Sequence, residues 1–324
     1  MAAQKPKVAF YWCASCGGCE EAAVDLGEAL LTVANQVDIV FWPVALDFKR
    51  TDVEALPDGS VAASFINGAI RTSENTEMAR LLRRKSQAVI AFGACAQLGG
   101  VPGLANLTTR EAILETVYQE MPSVVNPERV RPLPEHRSNG HTVDLPALVD
   151  PVRPLSSVVA VDYLVPGCPP TPALLAGAVE ALLAGQLPPP GTVLAPDVAL
   201  CETCPRKDTK PAMLAVTAFK RPHEVLADEA TCLLAQGLLC LGPATRGGCE
   251  GRCISGNMPC TGCFGPTSRV RDFGAKAFSA LSSIIEAKTE DAIAQALAGV
   301  PDPVGTFYRY SLPASLLRQK RTPA

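Results

Sequence analysis

The sequence predicts an α/β fold: a parallel sheet covered by helices on both faces, followed by an irregular unit organised around cysteines. Three observations carry that reading. Short, continuously apolar runs alternate with helix-period segments over the first 185 residues, the pattern of a parallel sheet buried on both sides. Cysteines follow the ends of three of those runs, at Cys16 and Cys19, at Cys95, and at Cys168. Beyond residue 186 the periodicity fades, and eight of the thirteen cysteines fall between Cys201 and Cys263.

The first strand, Lys7-Val-Ala-Phe-Tyr-Trp12, is apolar and aromatic, as a buried strand requires. It opens into Cys13-Ala-Ser-Cys16-Gly-Gly-Cys19-Glu20. Ala22, Leu26, Ala29, Leu30 and Val33 then recur at helical spacing over 21–34. Residues 37–44 read as a second strand and 61–70 as a third, broken by Gly68. A helix is expected over 76–85, and a fourth strand over 86–92 runs into Gly93-Ala-Cys95. The stretch 99–155 is proline- and loop-rich, with one helix over 110–119. A fifth strand over 158–165 meets Pro166-Gly-Cys168-Pro-Pro170, and a helix follows over 174–184. Gln186-Leu-Pro-Pro-Pro-Gly-Thr192 has polyproline character and reads as a linker, dividing the chain into units 1–185 and 186–324. Helices over 270–287 and 290–297 follow in the second unit. The segment 307–324 reads as a frayed terminus or as a tail that docks on a partner.

Composition narrows the function. With 48% hydrophobic and 19% charged residues in 324, the chain has ample material for a core. A net charge of −3 leaves no basic face for nucleic acid. The start shows neither an apolar signal core nor twin arginines, and no apolar run approaches the roughly 18–20 residues of a membrane span. A cytoplasmic protein is expected. In a reducing cytosol thirteen cysteines point to metal ligation rather than to disulfides.

The ends of parallel strands share one edge, so Cys16, Cys19, Cys95 and Cys168 are expected to meet there. Four thiolates are the complement of a cubane iron–sulfur cluster or of a structural zinc ion. The eight later cysteines, with clips Cys201-Glu-Thr-Cys204 and Cys260-Thr-Gly-Cys263, therefore suggest two more centres. Their uneven spacing is unlike a zinc ribbon or finger and favours iron. Twelve cysteines fill three sets of four, and Cys13 is the odd one, read either as a free half-buried thiol or as a redox-tuning one. Of the three histidines, His136, His141 and His223, the last lies upstream of Cys232 and reads as a solvated or capping side chain or as a hydrogen-bond donor near a cluster. Glu20 reads as a first-turn helix carboxylate or as part of a proton path. Arg206, Lys207 and Lys210 read by default as solvated surface, and otherwise as cations that offset cluster charge or dock an acidic partner. No Gly-x-Gly-x-x-Gly follows the first strand, so no nucleotide is expected in this chain.

Cys16-Gly-Gly-Cys19-Glu20, Gly93-Ala-Cys95, Pro166-Gly-Cys168-Pro-Pro170, the stretch Cys232 to Cys249 and Met258-Pro-Cys260-Thr-Gly-Cys263-Phe-Gly-Pro266 together resemble the small subunit of nickel–iron hydrogenases. The likeness is to the cytoplasmic (group 3) enzymes, which include methyl-viologen-reducing, heterodisulfide reductase-linked, deazaflavin-reducing and NADP-linked forms. The resemblance spans nearly the whole chain. It implies a flavodoxin-like first domain and three 4Fe–4S clusters, with no flavin or nickel in this chain. The proximal cluster would take Cys16, Cys19, Cys95 and Cys168. The medial one would take Cys249, Cys253, Cys260 and Cys263, and the distal one Cys201, Cys204, Cys232 and Cys240, with Cys201 where relatives often carry histidine. An exchange of Cys240 and Cys249 between these two sets stays open. The implied role is electron transfer between a nickel–iron large subunit and a further partner: a heterodisulfide reductase-type protein, an NAD(P)- or deazaflavin-linked flavoprotein, or a small iron–sulfur protein.

Three rivals have separate signatures. The proximal-cluster subunit of respiratory quinone-reducing complexes shares only the first part and has adjacent cysteines at the first motif, whereas Cys16 and Cys19 are separated. A relay subunit whose large partner lacks nickel would look the same as this chain. A zinc-stabilised scaffold would hold zinc without iron.

Overall fold

The computed structural model describes residues 5–317. The sequence-expected tail over 307–324 therefore lies partly outside the described residues. Ten strands are found among them: β1 (Lys7–Trp12), β2 (Asp38–Phe41), β3 (Val61–Asn67), β4 (Ile70–Thr72), β5 (Ser86–Phe92), β6 (Glu135–Ser138), β7 (His141–Asp144), β8 (Leu148–Arg153), β9 (Tyr163–Val165) and β10 (Thr192–Val193). Six form one sheet in the order β2-β1-β3-β5-β9-β10. Every pairing in it is parallel. An order that runs outward from β1 in both directions is the flavodoxin-like arrangement, with its ligand crevice at the carboxyl ends of the strands.

Alternation along β1 builds the two faces. Ala9 and Tyr11 pack on one side with Ile66, Leu82 and Val89. Val8 and Phe10 pack on the other with Phe65, Ile90, Leu175 and Val179. Phe10 stacks on Phe65 at 5.0 Å and meets Trp42 at 4.7 Å. Helix Ser73–Lys85 covers the first face, and its start is set by a capping box in which Thr72 and Asn75 bond reciprocally, each at 3.1 Å. Helix Pro172–Leu183 covers the second, with Thr171 as N-cap and Pro172 in its first turn.

Several elements differ from the sequence expectation. The helix over 21–34 is two helices, Gly18–Val24 and Glu28–Gln36. The fifth strand keeps only Tyr163–Val165, because Leu155 turns into the core in a tight turn and Asp162 is taken up by the Arg83 guanidinium and the Val89 N–H. The loop-rich stretch contains a hairpin, β6–β7, with every residue exposed, and β8, which pairs antiparallel with β4. The helix at 110–119 relaxes after Glu115 into a wider turn over Thr116–Glu120. β10 lies past the proline linker yet forms the sheet edge.

The second unit has its own core, with Leu200, Leu233, Leu238, Leu241, Phe273 and Leu281 buried together. Helices Phe273–Ser282 and Glu290–Leu297 flank it. It clasps the carboxyl edge of the sheet: the Gly100 N–H donates to the Tyr310 carbonyl at 3.1 Å, and Pro313 fills the space beside Gly99 and Gly103. No helix among the described residues is long and apolar enough to cross a membrane.

Arg246 fastens the linker's far end to the segment after the last cysteine. Its side chain is 3% exposed and bonded to the carbonyls of Pro266, Pro196 and Ala195 at 3.0, 3.1 and 3.3 Å, with Asp197 at 2.8 Å. The Asp197 pair is half open to solvent and contributes little, so the three carbonyls carry the effect. Arg246→Met strands them without donors, and a loss of about 3 kcal/mol is expected in denaturant unfolding of the second unit.

Candidate metal centres

Each cysteine of the first set is delivered by a strand end. Cys16 sits in the turn after β1, and Cys19 in the first turn of Gly18–Val24. Cys95 lies on the short helix Ala94–Leu98 after β5, and Cys168 in the loop after β9. Two backbone bonds zip the last two loops together, from Gly93 N–H to the Val165 carbonyl at 2.8 Å and from Ala94 N–H to the Gly167 carbonyl at 2.6 Å. The four thiols sense one another. Burial pushes the Cys19 thiol up, and the charges of Cys95, Cys168 and Cys16 push it further. Cys95 is pushed up to about 12 by burial first, then by Cys168 and Cys16. Two glycines make room for the sulfurs. A Cβ on Gly93 would lie 2.4 Å from the Cys19 Sγ, and one on Gly100 would lie 2.3 Å from the Cys95 Sγ; both have positive φ, +89° and +58°.

The eight later cysteines separate into two neighbourhoods. Cys249, Cys253, Cys260 and Cys263 line one cavity of about 210 Å³, which also touches Cys168. The Cys263 thiol, raised to about 12 chiefly by burial, responds to Cys168, Cys253 and Cys249. Cys201, Cys204, Cys232 and Cys240 line a second cavity walled by Leu200, Leu233, Leu234 and Ile254. Burial raises the Cys201 thiol to about 12, with further contributions from Cys240, Cys204 and Cys232.

The three sets stand in sequence. Cys168, in the first set, also lines the cavity of the second, and it acts on the Cys263 thiol there. The backbone N–H of Cys260, in the second, donates to the Cys240 Sγ of the third at 3.4 Å. The first set lies at the sheet edge and the third at the far end.

Soft thiolates, amide donors aimed at sulfur and glycines that leave space suit a bulky sulfur-rich group. None of the thirteen cysteines is in a disulfide.

The remaining candidates fall into place. Cys13 is buried apart from the three sets, and its N–H donates to the Asn67 carbonyl at 2.8 Å. Glu20 is also buried, and its carboxylate accepts from Trp42 Nε1 and Asn67 Nδ2, each at 2.5 Å. Burial raises its pKa, and these two donors oppose the rise. His136, His141 and His223 are exposed. Arg206 corrects the sequence expectation: it is 6% exposed rather than solvated, whereas its neighbours Lys207 and Lys210 are exposed. The only signal in the sequence was its place directly after Cys204-Pro205.

A family model described as NADH ubiquinone oxidoreductase, 20 Kd subunit, matches residues 16–182, which contain the whole first set. The iron-sulfur subunit of the F420-non-reducing hydrogenase of Archaeoglobus profundus is 41% identical over 97% of this chain and 98% of its own. The chain belongs to the nickel–iron hydrogenase small-subunit family. A subunit of the F420-non-reducing hydrogenase of Methanothermobacter thermautotrophicus is 39% identical over 98% of each chain. These relatives align through the Cys201–Cys263 region, which the family model does not reach. For the fold alone, the recombinant [NiFeSe] hydrogenase of Desulfovibrio vulgaris Hildenborough superposes with a TM-score of 0.53 at 16% identity, over 82% of this chain and 95% of that one.

Two expectations follow for this hydrogenase subunit. Gly100→Ala drives a methyl into Cys95, so the purified variant should carry less iron than the parent; Gly177→Ala, whose Cβ meets nothing within 4 Å, should match it. In the iron-free chain the buried thiols of Cys95, Cys201 and Cys263 keep their protons up to about 12, whereas unfolded thiols release them near about 8.5. The folded form then binds more protons than the unfolded one. Its stability should fall as pH rises from about 8.5 towards 12, measured as a falling denaturant midpoint between pH 7 and pH 10.

Proposed function

We propose that this chain is the electron-relay small subunit of a cytoplasmic nickel–iron hydrogenase and holds three 4Fe–4S clusters. The single observation that carries the reading is the serial contact of three four-thiol sets, Cys168 to Cys263 and Cys260 to Cys240. Bound clusters would supply reversible one-electron chemistry at each station. Cys16, Cys19, Cys95 and Cys168 would hold the proximal one. Cys249, Cys253, Cys260 and Cys263 would hold the medial one, and Cys201, Cys204, Cys232 and Cys240 the distal one. Thiol neighbourhoods support this grouping over an exchange of Cys240 and Cys249. Cys240 is the strongest charge acting on Cys201, and Cys249 acts on Cys253 and Cys263. The unit boundary at 185/186 belongs to the same proposal, with β10 lent back to the sheet.

The protein's part is to present the sulfurs at fixed places, supply N–H groups to them and exclude water; binding of the cluster would take their protons. Cys201 in the position where relatives often carry histidine adds a negative ligand and lowers the expected distal potential. Around Cys16, which is exposed, Trp12, Val44, Leu46 and Val101 leave apolar surface uncovered after the ends of β1, β2 and β5. That edge suits the large subunit. Leu226 and Met213, 100% and 89% exposed, lie between Cys204 and Cys232 in the sequence and suit an electron-accepting partner. The relatives' name, F420-non-reducing, favours an acceptor other than F420.

Oxygen-free purification with the native partners tests the reading. About twelve irons per chain are expected, with nickel only in the large subunit and paramagnetic signals on reduction. Zinc in place of iron overturns the relay, and a large partner without nickel overturns the hydrogenase assignment while leaving the relay intact.

A further inference from the structure

Arg206 occupies the partition between the second and third thiol sets. Its own N–H donates to the Cys204 Sγ at 3.4 Å. From there the side chain runs inward and divides its guanidinium between the two neighbourhoods. Nη1 donates to the carbonyls of Asp228 and Thr231 at 3.1 and 3.2 Å, and Thr231 is the residue before Cys232. Nη2 donates to the Ile254 carbonyl and to the Asn257 Oδ1, both at 3.0 Å, and Ile254 is the residue after Cys253. One planar group therefore touches the backbone beside a cysteine of each set, in a fork geometry that lysine lacks.

All four acceptors are neutral. The exposed Asp228 carboxylate accepts the N–H groups of Ala230 and Thr231 at 3.1 and 2.7 Å and also feels the Arg206 charge, which helps to lower its pKa. A guanidinium taken out of water without a bonded carboxylate gains from further negative charge close by. Thiolates of loaded centres on either side would supply it. Thr209 and Asn257 brace the arrangement: Thr209 Oγ1 accepts the Cys232 N–H at 2.9 Å, and Asn257 Nδ2 donates to the Ala227 carbonyl at 2.9 Å. Lys210 also lines the third cavity, and its charge opposes the rise at the Cys201 thiol; being exposed, it is screened by water more than the buried Arg206 is.

We infer that Arg206 is a positioning residue for electron exchange between the medial and distal centres, setting their separation through four hydrogen bonds and raising both potentials through its buried charge. The inference rests on the cluster reading above. It is tested on the whole complex, purified without oxygen, by paramagnetic redox titration of the parent, Arg206→Gln and Arg206→Lys. In Arg206→Gln both C-terminal centres should become at least tenfold harder to reduce at a fixed potential, about 59 mV for one electron. Their mutual spin coupling should change, and the proximal centre should stay as in the parent. Arg206→Lys should restore the potentials and leave the coupling altered. Parent-like potentials and coupling in Arg206→Gln overturn the inference, as does an equal shift of the proximal centre, which marks general disturbance. If Arg206→Gln loses the two C-terminal centres altogether, Asn257→Ala decides. It removes one acceptor and keeps the cation, so altered coupling at parent potentials upholds the role and unaltered coupling overturns it. A parent complex without iron clusters instead overturns the cluster reading itself.

Discussion

Contacts between neighbouring cysteine sets hold the order of this molecule. A thiolate in a dry interior is costly unless donors surround it. Here the amide of Cys260 donates to Cys240, and Cys168 lines the cavity of Cys263 and acts on its thiol. Each of these neighbours belongs to the adjoining set. A backbone shift that spoils one thiol's solvation therefore also displaces the next. This explains why the loop of Cys168 is zipped to that of Cys95, and why the terminal segment returns to brace Gly99, Gly100 and Gly103.

The sheet was largely legible because its information is local. Continuous apolar runs mark strands buried on both faces, and β1, β3 and β5 lie close to their expected places. The convergence of Cys16, Cys19, Cys95 and Cys168 followed from topology alone, since parallel strands share a carboxyl edge. What was not legible had no periodic signal. β6 and β7 are polar and fully exposed, held by a tight turn rather than by burial. β10 is two residues long and exists through its pairing with β9. The fifth strand is shorter than its apolar run because Leu155 is spent on the core, not on the ladder.

For the site, residue type was legible and neighbourhood was not. Spacing identifies clips such as Cys260 and Cys263, but it says nothing about whether Cys240 faces Cys201 or Cys253. That depends on how the Leu238–Leu241 segment packs, and the packing puts Cys240 in the buried core beside Leu200. Arg206 shows the same limit from the other side. In sequence it is one cation among Lys207 and Lys210, and only the fold reveals that its neighbours point to water while it points inward.

The second unit also shows why chemistry and packing cannot be separated in it. Cys201 and Cys253 sit on helices of four residues, Leu200–Thr203 and Arg252–Ser255. Such turns have no stability of their own, since helix nucleation is unfavourable and four residues close too few bonds to offset it. Their order comes from what surrounds them. That surround is itself built from cysteines: Cys240 and Cys260 are in the buried cluster, with Cys204, Cys232 and Cys249 packed against it. The sheet, by contrast, buries two apolar faces without help from most of its thiols. Whatever the later thiols hold is therefore part of the core around Leu200, Leu233 and Phe273, and its binding energy is folding energy there. At the sheet edge the bound group is a guest on a frame that already stands.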